Sequence, residues 1–176
     1  MKKIVCLCIV TALIITAAAD AAYISRCDKF VRFHTIANSN SPYDQQVKMQ
    51  LKDFIFESIG DNLKTCKNKY ETLLFLKNNS ENIEKQANSY LKEINCPDKA
   101  TVCIENRWFQ RKKYDGFSLP GGEYDSFKIT IGKGSGKNFF CVMFPPACIS
   151  KEMTKKVNEM LKGGKIEYKL KLFSKE

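Results

Sequence analysis

His34 is the single histidine in the 176-residue chain. Its imidazole is the natural candidate for a general base, because no other side chain changes charge near neutral pH without help. A base needs a nucleophile and an orienting group within hydrogen-bond reach. Ser39 and Asp44 are near in sequence, which says nothing about geometry. Residues 30–37 alternate so that His34 shares a strand face with Arg32, and this pattern suits a structural or hydrogen-bonding histidine better than a catalytic one. The chain therefore reads as a non-enzyme. A cell-wall or small-molecule hydrolase using His34 is the alternative.

Other motifs carry less chemistry. Gly132-x-Gly134-x-Gly136-Lys137 resembles a phosphate loop, but such a loop needs four residues between its first Gly and its Gly-Lys, then Ser or Thr, then a helix. Asn138 and an apolar strand follow instead, so a flexible hairpin turn is the plainer reading. With one histidine and no Cys-x-x-Cys, no metal site and no cofactor are expected. Arg107, Arg111, Lys112 and Lys113 stand beside Trp108, Phe109 and Tyr114. Bases could stack there, but a solvated strand end and loop suits these residues better, with a protein-contact surface next.

Two segments invite partner contact. The turn Asn38-Ser39-Asn40-Ser41 joins a strand end to a helix start, where open sheets place ligands and helix amides favour anions. Capping alone also explains these residue types. The stretch 110–124 reads as a long loop, and Pro120, Gly121 and Gly122 specify its shape. Candidate partner-binding residues are Arg32, His34, Asn38, Ser39, Asn40 and Asp44 on the first segment. On the second they are Tyr114, Pro120, Gly122, Glu123 and Tyr124.

The N-terminus looks like an export signal. Lys2 and Lys3 precede an uncharged run, Ile4 to Ala19, ending in small residues at Ala17, Ala19 and Ala21. The expected division is a signal peptide over 1–21 and a single domain over 22–176. Cleavage after Ala19 leaves 27 basic and 19 acidic residues, a net charge near +8. That charge favours anionic membrane surfaces or acidic proteins, and export argues against nucleic acid. Six cysteines remain: Cys27, Cys66, Cys96, Cys103, Cys141 and Cys148. Cys141 and Cys148 flank a double proline, and their pairing would contribute about 2–3 kcal/mol through the unfolded state. Cys96–Cys103 has the same spacing and is a weaker candidate. A disulfide-stapled binding module is thus a further alternative.

The elements that would position these residues follow from periodicity. Phe30 to Ala37 alternates as a strand. Ser41, Pro42 and Asp44 open a helix that Gly60 ends. A second helical region covers about 69–94, with a break near Asn78-Asn79-Ser80. Ala100 to Phe109 reads as a strand with Val102, Ile104 and Trp108 on one side, and Phe127, Ile129 and Ile131 mark another. Phe139 to Phe144 reads as a strand buried on both faces, stopped by Pro145. A helix over 149–162 and an edge strand over 166–172 complete the order β-α-α-β-β-β-α-β. The expected fold is α+β (α/β-like): one mixed sheet of about five strands with about four helices.

Three segments together resemble stage II sporulation protein R of endospore-forming bacteria. The first is Arg32-Phe33-His34-Thr35-Ile36-Ala37-Asn38-Ser39-Asn40-Ser41, with Asp44-Gln45 and Leu51-Lys52-Asp53. The second is Tyr114-x-Gly116 with Leu119-Pro120-Gly121-Gly122-Glu123-Tyr124. The third runs from Ile131-Gly132-x-Gly134-x-Gly136-x-Asn138 through Cys141-Val142-Met143-Phe144-Pro145-Pro146 to Cys148. The family more often has Val at 35, Asp at 40, Ala at 121 and two tryptophans at 139–140. The resemblance covers about residues 28–173. It implies an intercellular signal made in the forespore and exported into the space between the two membranes. There it would trigger a membrane-embedded aspartyl protease that cleaves the precursor of sigma factor E. The implied partner is that protease, with peripheral contact to anionic membrane, and the expected state is a monomer or weak oligomer.

Overall fold

A computed structural model describes residues 9–15, 29–114 and 117–145. Residues 9–15 form a short helix, α1, whose Leu13, Ile14 and Ile15 are exposed. The strand β1 (Val31–Ile36) leads into helices α2 (Pro42–Thr65) and α3 (Lys69–Glu93). Strands β2 (Ala100–Phe109), β3 (Lys112–Tyr114), β4 (Phe117–Leu119), β5 (Gly122–Ile131) and β6 (Asn138–Phe144) follow. The main sheet has the order β2-β5-β1-β6, and β3 pairs with β4 in a small second sheet. β1 runs parallel to β5 and antiparallel to β6, so the sheet is mixed, as the sequence implies. The fold is α+β. The expected helix at 149–162 and strand at 166–172 lie outside the described residues, as does most of the expected signal segment.

Alternation decides which side each residue serves. Val31, Phe33, Phe127, Ile129, Ile131, Cys141 and Met143 point to the helices and bury with Val47, Leu51, Ile55 and Leu63 of α2 and Leu76, Ile83 and Leu91 of α3. The opposite parity faces away: Phe30, Phe109, Tyr124 and Val142 form a second cluster with Phe117 and Leu119 of the β3–β4 hairpin. The hairpin thus roofs the face that the helices leave open. This corrects the expected long loop. Phe117 and Leu119 are apolar enough to pay for an ordered hairpin by burying against that second face.

The first helix outruns its expected end and the second keeps its bounds without the expected break. α2 passes Gly60 because Ile59 and Leu63 lie on its buried stripe, and one glycine costs only about 1 kcal/mol. Its start is as expected, with Ser41 Oγ accepting from the Asp44 N–H at 3.0 Å. α3 does not break at 78–80. Asn79 bonds back to the Phe75 carbonyl at 2.8 Å and Ser80 to that of Lys77 at 3.0 Å, so their polar groups are met inside the helix. Trp108 does not share the core with Val102 and Ile104. It is 62% exposed, where β2 has run past the helices.

Cys96 and Cys103 are free thiols, so the weaker disulfide candidate does not form. Cys96 buries on the helix side. Cys103 lies on the other parity of β2, roughly 10 Å along an extended strand from Ala100, and its thiol faces Glu105 at 3.8 Å. Cys66 is also free, whereas Cys141 is not. Cys27 and Cys148 lie outside the described residues.

Candidate functional site

The two candidate segments part company at opposite ends of β1. At its C-terminal end the Asn38 turn meets the glycine segment. Because β1 lies between β5 and β6, residues 132–137 must stride over the end of β1, and they are not the simple hairpin turn that the sequence suggests. The crossing is tightly braced. Asn38 Oδ1 accepts from the Lys133 N–H at 2.9 Å, and Asn40 Oδ1 from the Lys137 N–H at 2.8 Å. The Asn38 carbonyl accepts from Ser135 Oγ at 2.6 Å, and the Ala37 carbonyl from the Gly136 N–H at 2.9 Å. Ser39 Oγ and Asn38 Nδ2 both donate to Asp44. A Cβ on Gly136 would sit 2.2 Å from the Ser39 carbonyl oxygen, and Gly132 takes φ +55, so both positions require glycine. Lys48 closes the knot with bonds to Gln45 Oε1 at 2.6 Å and the Lys137 carbonyl at 3.0 Å. Burial, then the Lys137 charge, holds its ammonium pKa below the ordinary value.

The other end, on the open sheet face, is different. Pairing aligns Arg32, Ser126 and Glu105 in one cross-strand row, and His34, Lys128 and Cys103 in the next. The hairpin roof covers this face, so Arg32 is 1% and His34 0% exposed. Arg32 Nη2 donates to the Tyr114 hydroxyl at 2.9 Å. Its guanidinium carbon lies 4.5 Å from the Phe109 ring centre and 5.1 Å from that of Tyr124, an aromatic cage that favours the cation. Burial pushes the Tyr114 hydroxyl pKa up although the Arg32 charge opposes it, so Tyr114 stays neutral. Yet Arg32 Nε and Nη1 have no hydrogen-bond partner among the described residues. A buried unmet donor costs about 1–3 kcal/mol, and more when charged.

His34 stacks on Phe140 with ring centres 5.9 Å apart and meets Phe109 edge-on at 5.6 Å. Its Nε2 is 3.5 Å from Glu105 Oε1, beyond a good hydrogen bond. Burial foremost, then the Arg107 and Lys128 charges against the Glu105 carboxylate, bring its pKa from 6.5 down to about 4. The imidazole is therefore neutral at neutral pH. Burial works against the Glu105 charge, but the bond from Lys128 and the neighbouring cations outweigh it, so its carboxyl sits below the usual range.

Beside this face opens a cleft of about 500 Å³, lined by Arg32, Arg107, Trp108, Phe109, Gln110, Arg111, Lys112 and Phe140. Arg111 and Lys112 are exposed at its rim. The structure thus gathers Arg32, His34, Tyr114 and Tyr124, while Asn38, Ser39, Asn40 and Asp44 belong to the distant knot. Tyr124 is buried, and its hydroxyl donates to the Pro120 carbonyl at 2.8 Å. Gly122 is buried and Glu123 exposed at the start of β5. Glu105, Lys128 and Phe140 were not among the sequence candidates. Their signal is parity: Lys128 stands between Phe127 and Ile129, hence on the face away from the helices. Among the described residues no group of three or more His, Cys, Asp or Glu could hold a metal, and no helix is long and apolar enough to cross a membrane.

A family model described as stage II sporulation protein R matches residues 27–154. The stage II sporulation protein R of Bacillus subtilis (strain 168) is 28% identical over 160 residues, covering 84% of this chain and 71% of its own. No solved structure matches significantly.

Proposed function

Since the chain belongs to the stage II sporulation protein R family, we propose that it is a signal between the two compartments of a sporulating cell. On this reading it leaves the forespore, enters the intermembrane space and activates a membrane-embedded aspartyl protease, which then cleaves the sigma-E precursor. The observation that carries a binding rather than a catalytic role is Arg32: buried, caged by aromatic rings and short of hydrogen-bond partners beside a cationic cleft. The apolar, exposed helix α1 behind Lys2 and Lys3 supports a leader read by the export machinery. A Cys141–Cys148 bridge would suit that destination.

The activator must bind the active arrangement of the protease better than the inactive one, because equal binding to both shifts nothing. Its positive charge would concentrate it near anionic headgroups and speed encounter. A hydrolase reading would need a hydroxyl or thiol against His34, and the polar group the structure puts there is the Glu105 carboxylate. The test is genetic. Deleting the gene should stop processing of the sigma-E precursor, and expression confined to the forespore should restore it. Processing that continues in the deletion strain sinks the proposal.

A further inference from the structure

Among the described residues the cleft beside β2 is lined by four cations, Arg32, Arg107, Arg111 and Lys112, and by no acid. Sign alone calls for an anion. Arg32 narrows the choice of anion. It is almost wholly buried, yet two of its three nitrogens lack a partner among the described residues. The third holds Tyr114, so the guanidinium plane is fixed before any ligand arrives. We propose that the cleft receives a carboxylate presented by an extended segment of a protein partner, with Arg32 as the buried donor and Arg111 and Lys112 guiding it from the rim.

Two features favour a peptide carboxylate. A guanidinium fork matches a planar carboxylate. The walls Phe109 and Phe140, with Trp108 exposed at the mouth, offer apolar area that a free small anion leaves unused. Aromatic residues with arginine are also what interface centres favour. This inference deepens the activator reading. It rests on that reading for the partner's identity but not for the existence of the site.

Trp108 is the only tryptophan in the chain, so cleft occupancy can be read from its emission. The full chain is titrated with a pool of capped, tryptophan-free hexapeptides bearing one central Glu, and with the same pool bearing Gln. Inorganic phosphate, phosphatidylglycerol vesicles and phosphatidylcholine vesicles are the other arms. The Glu pool should bind saturably, about 10-fold tighter than the Gln pool. Arg32→Lys, which keeps the charge and loses the fork, should weaken that binding about 10-fold. Lys112→Glu, on an exposed side chain that does not threaten folding, should weaken it several-fold and reduce its salt dependence. Equal binding of the two pools, response to phosphate or anionic vesicles alone, no response at all, or wild-type binding by both variants overturns the inference. The two readings fail separately. Glu-selective binding with processing intact in the deletion strain removes the activator reading and leaves the site. Processing that needs the gene but is normal in a folded Arg32→Lys strain without Glu selectivity removes the site and leaves the activator.

Discussion

The Asn38 knot and the Arg32 face are both rich in polar side chains on or beside β1, yet they treat those groups in opposite ways. In the knot Asn38, Ser39, Asn40, Ser41 and Asp44 all have partners, either among themselves or on the 132–137 crossing. On the Arg32 face both His34 nitrogens and two Arg32 nitrogens have no hydrogen-bond partner among the described residues. Satisfied polar clusters rigidify a fold, whereas unmet buried groups destabilise it and each requires an explanation. On the proposed reading, the contrast separates residues that build the molecule from residues that equip it to bind.

The harshest test of this division is Gly136→Ala. The new methyl would press on the Ser39 carbonyl at 2.2 Å and on its carbon at 2.7 Å, and backbone cannot swing aside as a side chain can. The crossing would have to open, at a cost of about 3 kcal/mol or more. Thermal unfolding followed by circular dichroism should show a drop of about 10 °C. A melting point unchanged within about 2 °C would mean that the knot is loose and the contrast false.

The Arg32 face should register next, through acid. His34 is neutral when folded because its pKa falls from 6.5 to about 4. Below pH 6.5 the unfolded chain takes up a proton that the folded chain refuses, so stability is full above that pH and is lost on descent toward 4. The loss approaches about 3 kcal/mol. Arg107, Glu105 and Lys128 are the charged groups that act on the imidazole. Denaturant unfolding at pH 7 and pH 4.5 should differ for the native chain, and His34→Gln should lose most of that difference. Equal slopes in the two proteins would place the acid sensitivity elsewhere.

How far the sequence disclosed this division depends on which forces act locally. The helix start at Ser41 was legible because capping is a contact three residues long. The faces of β1 were legible from parity alone, which puts Arg32 on one face with His34. The β3–β4 hairpin was not, since what makes Lys112–Leu119 fold is the uncovered cluster of Phe109, Tyr124 and Val142, drawn from three other strands. The glycine segment misled for a topological reason. Hairpin and crossing turns use the same residues, and only the insertion of β1 between β5 and β6 distinguishes them. Trp108 does share the parity of Val102 and Ile104, but its exposure was not legible, because alternation gives a side and not a length. Within the site, the missing hydrogen bonds of Arg32 could not be read from sequence, because an unmet donor is a fact about everything around it.

Two substitutions on β1 and its turn bring the comparison to its finest point. Asn38→Ala deletes the acceptor of the Lys133 N–H at 2.9 Å and a donor to Asp44. It should cost about 2 kcal/mol, and precursor processing should fall only as far as the folded fraction falls. Arg32→Met should do the reverse. Methionine fills similar volume among Phe109, Tyr114 and Tyr124 without a charge to leave unmet, and replacing a poorly compensated buried ion by an apolar group is often close to neutral. The stability change should therefore stay within about 1 kcal/mol, the smallest of the series, while processing is lost. If Arg32→Met instead unfolds the protein as Gly136→Ala does, the cage of rings is holding the cation for the sake of the fold. Arg32 would then belong with the knot.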